Sequence, residues 1–398
     1  MAAVSSVVDK LVEKLHLLRC SSVESGSTSE QQVYITHMTV GQETNVLTTG
    51  ETSGSVRIHN LDDLRPLGTI KQSKKPVTGL SVSRANEKLL WTTNAEDKMN
   101  CWDLRKDMKT PIFTLTSPNG ACYTTCDINC SGDMVAAATE PSDDDVCIYV
   151  WDIRLPGSSQ TGSNVFLSIT DSHKDDITQV KFHPSKSKQL ASCSTDGLVC
   201  LFDVSSAEED DALQWVLNSQ SSVARIGYYG EHNEKLYCIT HVETLQLWDT
   251  EQAQILADFS GLRETQCGSL PVDYLIDCMY LPDRNKLHLL SGTHSGQLKI
   301  FDVQRDGIMS SGLSSEGHRA TVRCLDYHVK SRRIITSGED SNICQWEVPT
   351  DSQVISPHFV EKEEVTGVRK TTQETSSRPR AKPYERPLAS DKSRKRYK

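Results

Sequence analysis

The sequence lacks any long apolar run, because none approaches the 18 residues that suggest a membrane-spanning helix. The N-terminus is mildly apolar up to Val8, but Asp9 and Lys10 interrupt it too early for a secretory signal peptide. The 13 cysteines are odd in number and scattered, which is typical of reduced thiols rather than of a disulfide scaffold. These absences predict an intracellular protein, in the nucleus, the cytoplasm or both, with no membrane partner.

Catalytic and nucleotide-binding motifs are missing as well: there is no phosphate loop, no nucleophile elbow and no His-Glu-x-x-His zinc motif. Cys122, Cys126 and Cys130 are spaced by four. On a strand, four residues span about 13 Å, too far for cysteines to share one zinc ion at ~2.3 Å. The net charge of −10 argues against a nucleic-acid binder, except through a basic tail. We therefore expect that the protein is not an enzyme and that it has no metal site and no cofactor.

One short pattern recurs along the chain: an alternating strand that ends in an aromatic residue followed by an acid. The aromatic positions are 59, 102, 151, 202, 248, 301 and 346, with a degenerate first copy at His59. The steps between them are 43, 49, 51, 46, 53 and 45 residues. Four short strands and their connections need about 40–45 residues, so each step has room for one four-stranded blade.

This pattern resembles the WD-repeat β-propellers over roughly residues 15–350. The resemblance implies an all-β fold with seven blades. The seventh unit lacks an outer strand after Trp346, and such rings usually close with an N-terminal strand, for which Leu15–Cys20 is the candidate. Apolar residues at helical spacing predict a short helix within residues 1–14, ending at Lys14. The polar composition of residues 351–398 predicts a disordered basic tail.

Two units carry the spacing of the hydrogen-bond network found in WD repeats. The residues concerned are His318, Thr336, Asp340 and Trp346 in the seventh unit, and His173, Ser192 and Asp196 in the fourth. The resemblance implies that the Asp orients the His, which meets the hydroxyl, which meets the indole N–H. Phe202 has no N–H, so the fourth network is expected to be shorter. A His/Asp/Thr set also suggests a catalytic triad, but the spacing favours a structural role.

Two adjacent units match Trp-Asp-x-Arg, which in some WD-repeat proteins marks docking to the adaptor of a cullin–RING ubiquitin ligase. The residues are Trp102, Asp103 and Arg105 in the second unit, and Trp151, Asp152 and Arg154 in the third. Arginine supplies a planar fork of donors that suits such docking. An arginine after Trp-Asp is also common in propellers, where it is only solvated. The sequence leaves both interpretations open.

Acidic residues interrupt two loops that a propeller places on one face. They are Asp143, Asp144, Asp171, Asp175 and Asp176, whereas the run 208–211 belongs to a connection on the opposite face. Asp145 also lies in the first loop, where a structural role in the turn is expected. One hypothesis is that the patch binds a Lys/Arg-rich segment of a partner or of the chain's own tail. The alternative is that these carboxylates serve only solubility.

Residues 366–398 hold 11 Lys and Arg against 3 acids. Arg394, Lys395, Arg396 and Lys398 fit a basic nuclear-localisation core, although a phosphate-binding arm or a solubilising tail has the same composition. Taken together, the sequence predicts a non-catalytic scaffold that binds proteins through the propeller faces. The alternative is a substrate receptor of a cullin–RING ligase.

Overall fold

β-Strands form nearly all of the regular structure, as alternating apolar and polar residues predict. The computed structural model describes residues 13–23, 33–142, 145–154, 165–263, 272–314 and 316–348. The only α-helix in these ranges is the four-residue α1 (Glu209–Ala212). None of the described helical structure is long and apolar enough to cross a membrane.

Two N-terminal strands, β1 (Glu13–Lys14) and β2 (His16–Ser22), precede three blades of four consecutive strands. Blade 1 consists of β3 (Ile35–Val40), β4 (Val46–Glu51), β5 (Ser55–Asn60) and β6 (Pro66–Lys71). Blade 2 consists of β7 (Val77–Val82), β8 (Leu89–Asn94), β9 (Lys98–Asp103) and β10 (Phe113–Thr116). Blade 3 consists of β11 (Tyr123–Ile128), β12 (Met134–Thr139), β13 (Ile148–Asp152) and β14 (Leu167–Ile169).

Four further blades complete the fold with the same antiparallel order. Blade 4 consists of β15 (Ile177–Phe182), β16 (Gln189–Ser194), β17 (Leu198–Asp203) and β18 (Leu213–Asn218). Blade 5 consists of β19 (Val223–Tyr229), β20 (Lys235–Thr240), β21 (Leu245–Asp249) and β22 (Gln254–Phe259). Blade 6 consists of β23 (Tyr274–Leu281), β24 (Lys286–Gly292), β25 (Leu298–Gln304) and β26 (Gly307–Ser314). Blade 7 consists of β27 (Val322–His328), β28 (Arg333–Gly338), β29 (Asn342–Glu347) and the N-terminal β2.

The seventh blade joins the two ends of the propeller. β2 pairs antiparallel with β29, so the N-terminal strand is the outer strand of the last blade. This is the closure that the sequence predicted, with strand bounds of His16–Ser22. Leu15, just before this strand, is buried with Trp346 and Val348 in one apolar cluster. The pairing removes the sheet edge that β29 would otherwise expose.

The predicted N-terminal helix does not extend to Lys14. Glu13 and Lys14 form β1, which runs parallel to Gly312–Leu313 of β26 and gives blade 6 a fifth strand. The outer edge of β26 offers unpaired backbone groups, and pairing with them prevails here over helical spacing. Residues 1–12, the remainder of the predicted helix, and the predicted tail at 351–398 lie outside the described residues.

Apolar clusters between adjacent blades form the core. The described residues contain seven such clusters, one at each blade interface. The inner strand of each blade contacts the inner strand of the next, and β27 contacts β3, which closes the ring. The seven-bladed, all-β propeller predicted from the repeat spacing is therefore confirmed.

The antiparallel order places the connections of each blade at two ends. The upper face carries the turns between the second and third strands and the links from one blade to the next, for example residues 195–197 and 170–176. The lower face carries the remaining turns, for example residues 104–112 and 231–234. At the upper turn of blade 4, Gly197 has φ +84°, a conformation that favours glycine.

Candidate interaction surfaces

The structure brings the four polar side chains of blade 7 into one hydrogen-bonded chain. His318 Nδ1 lies 3.0 Å from Asp340 Oδ2, and His318 Nε2 lies 2.8 Å from Thr336 Oγ1. Trp346 Nε1 donates to the same Thr336 oxygen at 2.8 Å. Thr336 and Trp346 are fully buried. These hydrogen bonds thus connect the link that precedes blade 7 with the second and third strands of the blade.

The charge on Asp340 decides the direction of these hydrogen bonds. Burial opposes ionisation of Asp340, but hydrogen bonds from His318 and from the backbone N–H groups of Arg319 and Asn342 hold its pKa below the usual value. A carboxylate only accepts, so His318 donates from Nδ1 and accepts at Nε2 from the Thr336 hydroxyl. The Thr336 oxygen then accepts from Trp346, and every member has a partner.

Blade 4 contains the shorter version of this network. His173 Nδ1 lies 3.0 Å from Asp196 Oδ2, and His173 Nε2 lies 2.6 Å from Ser192 Oγ. Phe202, at the aromatic position, offers no donor to the Ser192 oxygen. The network therefore ends at the serine, as its composition predicts.

Blade 2 has a third network, which sequence reasoning missed. Trp102 Nε1 donates to Thr92 Oγ1 at 3.0 Å, and the Thr92 hydroxyl donates to Gln72 Oε1 at 2.7 Å. Gln72 therefore takes the place that histidine occupies in blades 4 and 7. A signal was present, because Thr92 precedes Trp102 by ten residues, as Thr336 precedes Trp346.

Two other blade tryptophans have no acceptor at the equivalent place. The strand register puts Ala137 opposite Tyr149 in blade 3 and Cys238 opposite Gln246 in blade 5, where blade 7 has Thr336. Neither residue carries a hydroxyl. The indole N–H groups of Trp151 and Trp248 accordingly find no partner among the described residues.

Polar side chains of the inner strands connect neighbouring blades. Asp127 accepts from Ser81 Oγ of blade 2 at 2.6 Å and from the Phe182 N–H of blade 4 at 2.7 Å. Asp326 of blade 7 accepts from the Val40 N–H of blade 1 at 2.9 Å. Such charge-assisted contacts, repeated around the ring, hold the blades in register and make the frame rigid.

The two Trp-Asp-x-Arg segments adopt the same local geometry. Arg105 donates to both carboxylate oxygens of Asp103, at 2.8 and 2.7 Å, and this pairing lowers the pKa of Asp103 to about 2. Arg154 makes the same fork to Asp152, at 2.9 and 2.6 Å, and also contacts Asp133 at 3.0 Å. Both arginine side chains are more than half exposed.

The acidic loop before blade 4 is exposed on the upper face. Asp171, Asp175 and Asp176 are all exposed, and the only cation near one of them in the described residues is Lys174, 3.8 Å from Asp171. Asp143 and Asp144 of the other predicted loop lie outside the described residues, as do Arg394, Lys395, Arg396 and Lys398. The structure therefore places three of the five predicted acids on one surface.

Glu209 lies against this acidic loop, although the sequence placed its run on the opposite face. Its carboxylate accepts from the backbone N–H groups of Thr170 and Asp171, each at 2.9 Å. Helix α1 contacts β14 of blade 3 and β17 and β18 of blade 4, which brings Glu209 to the link between these blades. This contact anchors the loop that presents Asp171.

Metal-ligating and pocket-forming groups are sparse in the part of the chain that the structure describes. No cluster of three or more His, Cys, Asp or Glu there could hold a metal ion. Cys126 is buried, and burial raises the pKa of its thiol to about 12. A cavity of about 150 Å³ beside Trp215 and another of about 230 Å³ beside Leu247 are smaller than the ~300–1,000 Å³ of small-molecule pockets.

Comparison with known proteins finds WD40 repeats in this propeller. The family model described as "WD domain, G-beta repeat" matches residues 164–203 and 311–347, which include the hydrogen-bonded blades 4 and 7. The chain therefore contains WD40 repeats at these two stretches, within a seven-bladed β-propeller fold.

Particular relatives match long stretches of the chain. The WD repeat-containing protein 89 homolog of Dictyostelium discoideum is 34% identical over 178 residues, 44% of this chain and 50% of the relative. WD repeat-containing protein GTS1 of Arabidopsis thaliana is 32% identical over 230 residues, 54% of this chain and 57% of the relative. The chain thus spans about half the length of these curated relatives. The runs Leu15–Cys20, Cys126–Cys130, Asp175–Ser185 and Asp273–Ile276 also resemble WD repeat-containing protein 89.

A solved structure supports the same fold. The β-propeller domain of Cps50 (Swd1) from Myceliophteria thermophila superposes with a TM-score of 0.63 at 15% identity. The match covers 84% of this chain and all of that domain. At this level of identity the likeness concerns the fold alone.

Proposed function

We propose that this chain is a non-catalytic scaffold that binds other proteins through the faces of the propeller. The observation that carries the proposal is the exposed acidic loop of Asp171, Asp175 and Asp176 on a rigid frame. His173, inside the same loop, is held by Asp196 and Ser192, and Glu209 holds the loop from the other side. A loop fixed at both ends presents its carboxylates to a partner with little loss of conformational entropy.

A Lys/Arg-rich segment is the partner that this surface suits. Exposed ion pairs contribute only ~0–1 kcal/mol each, so binding needs several carboxylates at once. Asp171, Asp175 and Asp176 supply three, and Asp143 and Asp144 of the neighbouring loop belong to the same proposed site. Such binding weakens steeply as salt rises to physiological strength, where the Debye length is ~8 Å.

The test replaces Asp171, Asp175 and Asp176 with Asn and measures the binding of Lys/Arg-rich peptides and of the isolated 366–398 segment at low and physiological salt. We expect weaker binding and a smaller salt dependence than in the wild type. The matched control is Asp107→Asn, Glu231→Gln and Asp306→Asn, which removes three exposed charges from the lower face. Equal affinities for the wild type and the upper-face variant would contradict the proposal.

A second candidate function is that of a substrate receptor for a cullin–RING ubiquitin ligase. The observation that favours it is the same arginine fork to the Asp two residues earlier at Arg105 and Arg154, on adjacent blades and with both arginine side chains more than half exposed. Two copies of one planar donor group form a repeated feature that an adaptor could engage.

The two candidates are separated by a pull-down of ligase adaptor with Arg105→Ala and Arg154→Ala combined. Loss of captured adaptor supports the receptor function. Arg332→Ala is the matched control, because Arg332 is equally exposed and is also ion-paired, with Asp283 at 2.8 Å. If the wild-type protein captures no adaptor, or if the double variant still captures it, the receptor function is contradicted and the general scaffold function is retained.

A further inference from the structure

Two cysteines face each other across the closure of the propeller. Cys20 on β2 lies directly opposite Cys344 on β29, although 324 positions separate them in the chain. Their sulfur atoms are 3.2 Å apart, and both thiols are free. The two sulfurs of a disulfide are about 2.0 Å apart. Rotation of the side chains that moves the sulfurs closer by roughly 1 Å therefore brings the pair to bonding distance.

The two thiols differ in exposure and in charge state. Cys20 is exposed, whereas Cys344 is fully buried. The Cys344 S–H donates to the Cys20 sulfur, which lowers the pKa of Cys20 and raises that of Cys344. The accessible partner is thus the better nucleophile, and the buried partner lies ready behind it.

The link between blades 6 and 7 holds the pair in place. The Cys20 thiol also lies 3.8 Å from the carbonyl oxygen of Gly317. Gly317 has φ +97°, and a Cβ at this position would lie 2.7 Å from the Trp346 ring and 3.3 Å from the Cys344 sulfur. Glycine therefore lets this link approach the thiols closely.

We propose that Cys20 and Cys344 form an oxidation site at which a hydroperoxide creates a disulfide that ties the N-terminal strand to the last blade. The Cys20 thiolate attacks a peroxide oxygen, so that an S–O bond forms, the O–O bond breaks and the departing oxygen takes up a proton. Cys344 attacks the Cys20 sulfenic sulfur and gives its proton to the departing oxygen. The S–S bond then forms, the S–O bond breaks, and water leaves. Two thiols lose two electrons, and the peroxide gains them.

The disulfide changes how the ring is closed. In the reduced protein, β2 is held to β29 by backbone hydrogen bonds and side-chain packing, so the strand can detach without breaking a covalent bond. In the oxidised protein, detachment requires reduction. The covalent loop spans nearly the whole propeller, and long loops are those in which a cross-link most restricts the unfolded chain.

The experiment treats the full chain with increasing hydrogen peroxide and maps disulfides by mass spectrometry of a non-reduced digest. We expect the protein to lose two hydrogen atoms and to yield one cross-linked peptide containing Cys20 and Cys344. Cleavage of the N-terminal strand by a protease should slow by about tenfold or more, because local detachment is blocked. A reductant should reverse both effects.

Cys20→Ser is the decisive variant, because an exposed position tolerates serine, and the melting curve of the variant checks the fold. It should abolish the cross-linked peptide and the protease protection. Cys130→Ser, which changes another partly exposed cysteine, should keep both. The proposal would be overturned if oxidation of Cys20 in the wild type stopped at sulfenic or sulfinic acid. It would also be overturned if the protection from protease persisted in Cys20→Ser.

Discussion

The indole Nε1 of Trp346 donates to the hydroxyl of Thr336 at 2.8 Å, where both side chains are fully buried. Trp346→Phe keeps most of the apolar volume but removes this donor. We expect a loss of about 1–3 kcal/mol in the free energy of unfolding, from the unsatisfied Thr336 oxygen and the lost packing. Urea denaturation measures it.

Trp151→Phe is the matched control for that substitution. Trp151 is equally buried, but its N–H has no partner among the described residues, so the same change removes packing and an unpaired donor. We expect a smaller loss than for Trp346→Phe. Equal losses at both positions would mean that the hydrogen bond contributes nothing measurable.

The carboxylate of Asp326 provides a prediction about pH. Burial raises the pKa of Asp326 to about 6, although the N–H groups of Tyr327 and Val40 and the charges of Lys181 and Arg84 favour ionisation. The folded protein therefore keeps the proton at pH values where the unfolded chain, with a pKa of ~3.9, has released it. Because the folded state binds this proton more tightly, the contribution of Asp326 to stability falls as the pH rises from about 4 to about 6.

Asp326→Asn removes this titration. Relative to the wild type, the variant's free energy of unfolding should rise by about 2 kcal/mol as the pH increases from ~4 to ~7, whatever the difference between the two proteins at low pH. Denaturation at a series of pH values measures the difference. Asp306→Asn, which removes an exposed acid from the lower face, is the control. A constant difference for Asp326→Asn across the range would refute the prediction.

Removal of residues 1–22 tests the closure of the ring. The deletion removes β2 and exposes the edge of β29, and it also uncovers the cluster in which Leu15 packs with Trp346. We expect a lower melting temperature and aggregation through the open edge, visible as large species in size-exclusion chromatography. Deletion of residues 1–12 keeps both β1 and β2 and should leave melting and size unchanged. A monomeric Δ1–22 protein that melts like the full chain would show that the closure is dispensable.

The sequence predicts the ring far better than it predicts the contacts between blades. The aromatic–acid pairs are local and repeat at nearly regular steps, so seven units and the missing outer strand could be predicted. The contact of Asp127 with Phe182 joins residues 55 positions apart, and that of Asp326 with Val40 joins residues 286 apart. These pairs depend on the curvature of the ring, which no local pattern encodes.

Two particular errors have physical causes. Glu13 and Lys14 follow apolar residues at helical spacing, but pairing with β26, about 300 residues later, outweighs local preference. The network of Thr92 and Trp102 was missed because Gln72 replaces the expected histidine. At the candidate site, sequence alone could place Asp171, Asp175 and Asp176 on one face, but it could not show that Glu209 reaches the same loop across the rim.

The basic end of the chain provides the last prediction. Arg394, Lys395, Arg396 and Lys398 form a short basic core that fits recognition by a nuclear import receptor through charge and hydrogen bonding. Residues 366–398 fused to a cytoplasmic reporter too large to diffuse through nuclear pores should move it into the nucleus, as fluorescence microscopy would show. Changing the four residues to Ala should leave the reporter in the cytoplasm, whereas changing Arg378, Arg380 and Lys382 should have a smaller effect. A reporter that stays cytoplasmic with the unaltered segment would leave solubility or phosphate binding as the role of the tail.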